Sequence, residues 1–76
     1  MKKSSPKILG VLSENILRLR TEQGLSQEEL AFKSGLHRTY IGAVERGERN
    51  ITLRSLELIA IALDVKLTTL LEEKEI

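Results

Sequence analysis

Residues Gln27–Arg46, QEELAFKSGLHRTYIGAVER, decide the fold. Leu30 and Ala31 lie on the apolar stripe of one helix, and Gly35 is placed to end it. Glycine takes a positive φ there without the steric cost that a Cβ imposes. A second helix follows from about Arg38 to Arg46, with Ile41 and Val44 turned inward. At roughly 100° per residue, Arg38, Thr39, Gly42, Ala43 and Arg46 fall within one sector of about 140° on its other side. Two short helices joined by a tight glycine turn, with cations along the second, make a surface suited to the major groove of DNA.

The flanking signals extend this unit in both directions. Ser26-Gln27-Glu28-Glu29 is a capping box, in which the Ser26 hydroxyl serves the Glu29 amide and the Glu29 carboxylate reaches back. His37 is a poor N-cap for the next helix, and Gly47 closes it. Upstream, Ile8, Leu12, Ile16 and Leu19 recur at helical spacing, with Pro6 suited to the entry and Gly24 to the end. Downstream, Thr52 caps a helix running to Leu63, Asp64 breaks the pattern, and Leu67 to Glu73 reads as a short fifth helix. The expectation is an all-α fold of five helices in one domain over residues 1–76. Within it, residues 1–7 form a basic tail, 27–46 the helix-turn-helix, and 52–73 the helices of a dimer interface.

Composition narrows the function. A chain of 76 residues has room for one modest core, and 41% apolar with 30% charged residues is ordinary for a folded domain. With no cysteine and one histidine, neither a disulfide framework nor a thiolate metal site can form, and no metal or cofactor is expected. No carboxylate pair is assigned to a pocket by its spacing, so an enzyme is the weakest reading. The apolar run Ile8 to Leu12 is short and broken by Gly10, unlike a signal peptide or a membrane span, which leaves a cytoplasmic protein. The net charge of +1 says little, but its distribution says more. Three lysines and no acid occupy the first seven residues, whereas 64–76 hold two lysines against one aspartate and three glutamates. One end suits phosphate; the other repels it.

Within the groove-facing sector, Arg38 and Thr39 stand in the first turn, the part that points deepest. Arginine can bond guanine O6 and N7 together, and threonine offers both a hydroxyl and a methyl group. Gly42, Ala43 and Arg46 complete the base-reading set. A glycine inside a helix costs about 1 kcal/mol relative to alanine. Either close approach to the groove wall or close helix packing would account for it, and the angle favours the groove. Gln27 opens the preceding helix, whose amides can hold a phosphate. His37, Tyr40, Arg49 and Asn50 flank the groove helix as sugar-phosphate contacts that set register. For Tyr40 the alternative is partial core packing with its hydroxyl at the edge.

LSQEELA followed by SGLHRTYIGAVERGERN resembles the Cro and phage-repressor type of helix-turn-helix regulator, from about Leu12 to Leu71. Ala31, Gly35, Ile41 and Val44 match that family's structural positions. HRTYI…ERGERN in so short a chain is most similar to controller proteins of restriction–modification systems. The resemblance implies a compact lambda-repressor-like domain and places Arg38, Thr39, Tyr40 and Arg46 to Asn50 at the DNA. It also implies an ion pair between Arg20 and Glu45 that ties the groove helix down. Two positions depart from the pattern. Lys66 stands where a capping Ser or Asp often begins the fifth helix, and Gly42 replaces a small polar residue.

The fourth helix carries two apolar faces. Leu56, Ile59, Ala60 and Leu63 form the stripe that should seal it to the core, while Leu58, Ile61 and Ala62 point roughly the other way. Leu58, Ile61, Ala62, Val65, Leu67 and Leu70 are therefore expected at a two-fold interface, unless the fifth helix covers the second stripe alone. A dimer would set two groove helices about 34 Å apart on one face of a duplex. The resulting expectation is a homodimeric transcriptional regulator on a palindromic operator, with no small-molecule ligand and no membrane partner. The resemblance adds control of its own promoter and of restriction–modification genes, with RNA polymerase as a further partner. The other reading is an antitoxin that represses its operon and binds a toxin through LTTLLEEKEI.

Overall fold

The computed structural model describes residues 7–73. These form five helices: α1 (Lys7–Glu22), α2 (Gln27–Ser34), α3 (Arg38–Glu45), α4 (Leu53–Leu63) and α5 (Leu67–Leu71). No strand occurs among the described residues. Their local causes are visible at the ends. Ser26 Oγ accepts from the Glu29 amide at 2.9 Å, and Glu29 Oε1 accepts from the Ser26 amide at 2.7 Å, completing the capping box. Gly35 adopts φ 76°, and its amide and that of Leu36 both donate to Ala31 O. Thr52 caps α4 by accepting from the Ser55 amide.

α2 packs on α3 and α4, and α1 packs on α3 and α5. Their facing stripes make one core, with Ile16, Leu30, Ile41, Ile59, Leu63 and Leu70 fully buried. Each such side chain stabilises the fold by about 1.5–3 kcal/mol relative to an exposed one. The α4 stripe of Leu56, Ile59, Ala60 and Leu63 is buried as its spacing predicts.

Three details differ from the sequence reading. Ile8, expected on the α1 stripe, is exposed, and the stripe joins the core from Leu12 onward. α5 ends at Leu71, and Glu72 is already extended. Leu70, expected at an interface between chains, lies at 0% exposure inside the core. The reason for the last is a clamp from α1. Asn15 Nδ2 donates to Leu70 O at 2.9 Å and to Glu72 O at 2.8 Å, which turns the end of α5 inward. Lys66 stands at the N-cap of α5 without a capping side-chain bond. Pro6 and most of the basic tail lie outside the described residues.

Candidate nucleic-acid interface

α3 is held from behind by a polar cluster. Glu45, the last helical residue, has a side chain only 4% exposed, and Arg20 on α1 is 12% exposed beside it. Arg20 Nε donates to Glu45 Oε2 at 2.6 Å and Nη2 to Oε1 at 3.0 Å, a bidentate fork. Arg20 Nη1 donates to Leu25 O at 2.7 Å, and Gln27 Nε2 donates to Glu45 Oε1 at 2.9 Å. Hydrogen bonding to Glu45 raises the Arg20 pKa above its ordinary value, so the guanidinium stays charged. α1, the loop before α2, α2 itself and α3 are thus joined through the Arg20–Glu45 pair. The pair inferred from resemblance is present.

On the outer side, Arg38, Thr39 and Arg46 are exposed in a row. Gly42 and Ala43, expected beside them, are buried. The helical wheel is right about their angle but blind to what covers it. A Cβ on Gly42 would lie 3.2 Å from Arg46 Nη1 and 3.5 Å from Gln27 Oε1. The space beside the glycine is therefore taken by the ends of two neighbouring side chains. Ala43 is 7% exposed and outside the main apolar cluster. Gln27, expected as a side-chain donor to phosphate, gives one N–H of its amide to Glu45.

The flanking residues gather on one side. His37 is exposed in an extended N-cap conformation, with no capping bond from its ring. Tyr40 packs partly against the core, and the Arg49 guanidinium sits 5.1 Å from its ring centroid. His37, Tyr40, Arg49 and Asn50 line a common surface groove that runs to the start of α4. A cation over an aromatic face is restrained without being neutralised.

Glu48 falls within the stretch Arg46 to Asn50 that the resemblance places at the DNA, but its partner was not assigned from the sequence. Glu48 Oε2 accepts from Arg46 Nε at 3.0 Å, with both side chains more than half exposed. That hydrogen bond raises the Arg46 pKa and lowers that of Glu48. Residues two apart do not face each other on a helix. Gly47, at φ 73°, ends the helix and brings Glu48 back beside Arg46. The glycine after the last periodic residue was the available signal.

The second face of α4 is partly open. Ile61 is 68% exposed, and Leu58 is half-buried. Leu53, not singled out before, is also exposed and lies two turns before Ile61. Ala62, Val65 and Leu67 are partly covered by packing on the core. Lys7, the last residue of the basic tail, pairs with Glu73 at 2.6 Å. Among the described residues no cluster of His, Cys, Asp or Glu could hold a metal ion, and no helix is long and apolar enough to cross a membrane.

A family model described as helix-turn-helix matches residues 16–70. The chain is 54% identical over 61 residues to the control protein C.SmaI of Serratia marcescens, covering 80% of this chain and 73% of that protein. The crystal structure of the restriction–modification controller protein C.AhdI from Aeromonas hydrophila superposes with a TM-score of 0.82 at 46% identity, covering 86% of this chain and 98% of that one. The controller protein C.Esp1396I, solved as a tetramer with its natural 35-base-pair operator, superposes at 0.78 and 39% identity, covering 90% of this chain and 100% of that one. Solved variants of that protein change an arginine, a threonine and a tyrosine at three successive positions. The present chain belongs to the helix-turn-helix family and, within it, to the restriction–modification controller proteins.

Proposed function

We propose that the chain is a homodimeric transcriptional regulator that reads a palindromic operator through α3, controlling its own promoter and restriction–modification genes. The observation that carries this is the exposed row Arg38, Thr39 and Arg46 on a helix whose opposite side is fixed by the Arg20–Glu45–Gln27 cluster. A helix that reads bases must present its donors in one geometry, and the cluster supplies that. The order Arg-Thr-Tyr occurs once in this chain, at 38–40, and matches the order of the successive substitutions in C.Esp1396I.

Arg38 and Thr39 read base edges from the first turn, with Arg46 at the far end of the row. His37, Tyr40, Arg49 and Asn50 hold the sugar-phosphate backbone, along with the amides that open α2. Gly42, Ala43 and Gln27 support the row from beneath. Ile61, Leu58 and Leu53 form the accessible centre of the two-fold contact, with Ala62, Val65 and Leu67 at its edge. The protein works in the cytoplasm without enzymatic activity, and activation runs through contact with RNA polymerase. Filling of operator sites with rising concentration takes the place of a ligand signal.

Footprinting on the DNA upstream of the gene should show a symmetric protected site, and no protection at low salt would sink the proposal. Arg38→Ala should lower the preference for that site over random DNA by about 1–3 kcal/mol. Arg49→Ala should weaken both alike and reduce the salt dependence by about one phosphate contact. In sedimentation, Ile61→Asp should give monomers; an intact dimer would move the interface elsewhere.

A further inference from the structure

We propose that Glu48 and Gly42 are positioning residues that fix Arg46 for end-on reading of a guanine. This rests on the placement of Arg46 at the DNA. Arg46 is the C-cap of α3, and the backbone after it is pinned. The Gly47 amide donates to Val44 O at 3.0 Å and the Glu48 amide to Ala43 O at 2.9 Å, the paired bonds of a Schellman turn. Glu48 is therefore a fixed point and not a loose surface acid.

From that point its carboxylate takes Arg46 Nε. The side-on edge of the guanidinium, which includes Nε, is thereby engaged, and the two terminal nitrogens are left for another acceptor pair. Guanine O6 and N7 are such a pair. Gly42 acts on the same group from below. Nη1 lies 3.2 Å from the place a Cβ would occupy, closer than ordinary contact, so any larger residue there would push the guanidinium away. A brace on one edge and a missing methyl group beneath restrict a side chain that otherwise has many rotamers. Glu48 also brings a negative charge to a surface that meets phosphate, which weakens binding to every sequence. A negative charge in that place is useful where it improves the choice between sequences.

The test compares affinities of the full chain for the footprinted duplex and for a random duplex of equal length, with circular dichroism to confirm folding. Glu48→Gln should tighten random DNA slightly while lowering the ratio of specific to random affinity roughly three- to tenfold. Glu48→Asp keeps the charge but shortens the brace, and should lower the ratio without tightening random DNA. If Glu48→Gln tightens both duplexes equally and Glu48→Asp changes neither, Glu48 only repels phosphate and the inference is overturned. Gly42→Ala should lower the ratio in the same direction; an unchanged ratio overturns its part. Arg46→Ala separates the inference from its premise. If it leaves the ratio intact, Arg46 does not read bases. If it lowers the ratio and the Glu48 variants do not, only the brace is wrong.

Discussion

Glu45 and Arg46 are neighbours in the chain, yet each belongs to a different ion pair. The Arg20–Glu45 pair is almost enclosed, bidentate, and supported by Gln27 and Leu25 O. The Arg46–Glu48 pair is a single contact between side chains 59% and 56% exposed. Similar chemistry in two dielectric settings gives two kinds of part. Enclosed charges cannot be released without leaving a partner stranded in a poor solvent, so they hold geometry. Exposed charges keep their access to solvent, so the Arg46 nitrogens that Glu48 does not engage remain open to another acceptor. On the proposed function, the boundary between frame and reader passes between residues 45 and 46.

The largest expected effect comes from breaking the enclosed pair. Glu45→Ala should cost about 3–5 kcal/mol, because it strands the Arg20 guanidinium, and urea unfolding measures this directly. A loss well under 1 kcal/mol would erase the distinction between the pairs. Next comes Arg20→Lys, which keeps the charge but cannot form the fork, and should cost about 1–2 kcal/mol in the same assay. The exposed pair should behave otherwise. Arg46→Ala should move the unfolding midpoint only slightly while it lowers operator preference, and a large loss of stability would make Arg46 part of the frame. The smallest effect is in pH. Because Glu48 is held below its ordinary value, its contribution is present above the usual carboxylate range and fades as pH falls through the lowered value. A carboxyl NMR titration should show Glu48 titrating low, and Arg46→Ala should return it to the ordinary range.

Much of the frame was legible because its causes are local. The Ser26–Glu29 box, the left-handed Gly35 and the α4 stripe each depend on residues within a turn or two. The partner of Glu45 lies 25 residues away, and only family resemblance pointed to it. What stayed hidden was the relation between elements. A wheel drawn for α3 places Gly42 and Ala43 on the outer sector but cannot know that Gln27 and Arg46 lie across it. It likewise cannot know that Gln27 chooses Glu45 over solvent. Leu70 was misplaced because the direction of α5 is settled by Asn15, 55 residues before it. The pairing of Glu48 with Arg46 was missed because a left-handed residue reverses the chain just where helical spacing stops applying.

Asn15 has a further consequence, in the domain of time. A five-residue helix has too few internal hydrogen bonds to persist alone. α5 keeps its form while Leu70 stays in the core and one carboxamide holds Leu70 O and Glu72 O. The slow exchange of amides in α5 should therefore be governed by a side chain on α1, and Asn15→Ala should let them exchange long before the rest of the molecule opens. Through it, the first helix sets the lifetime of the last.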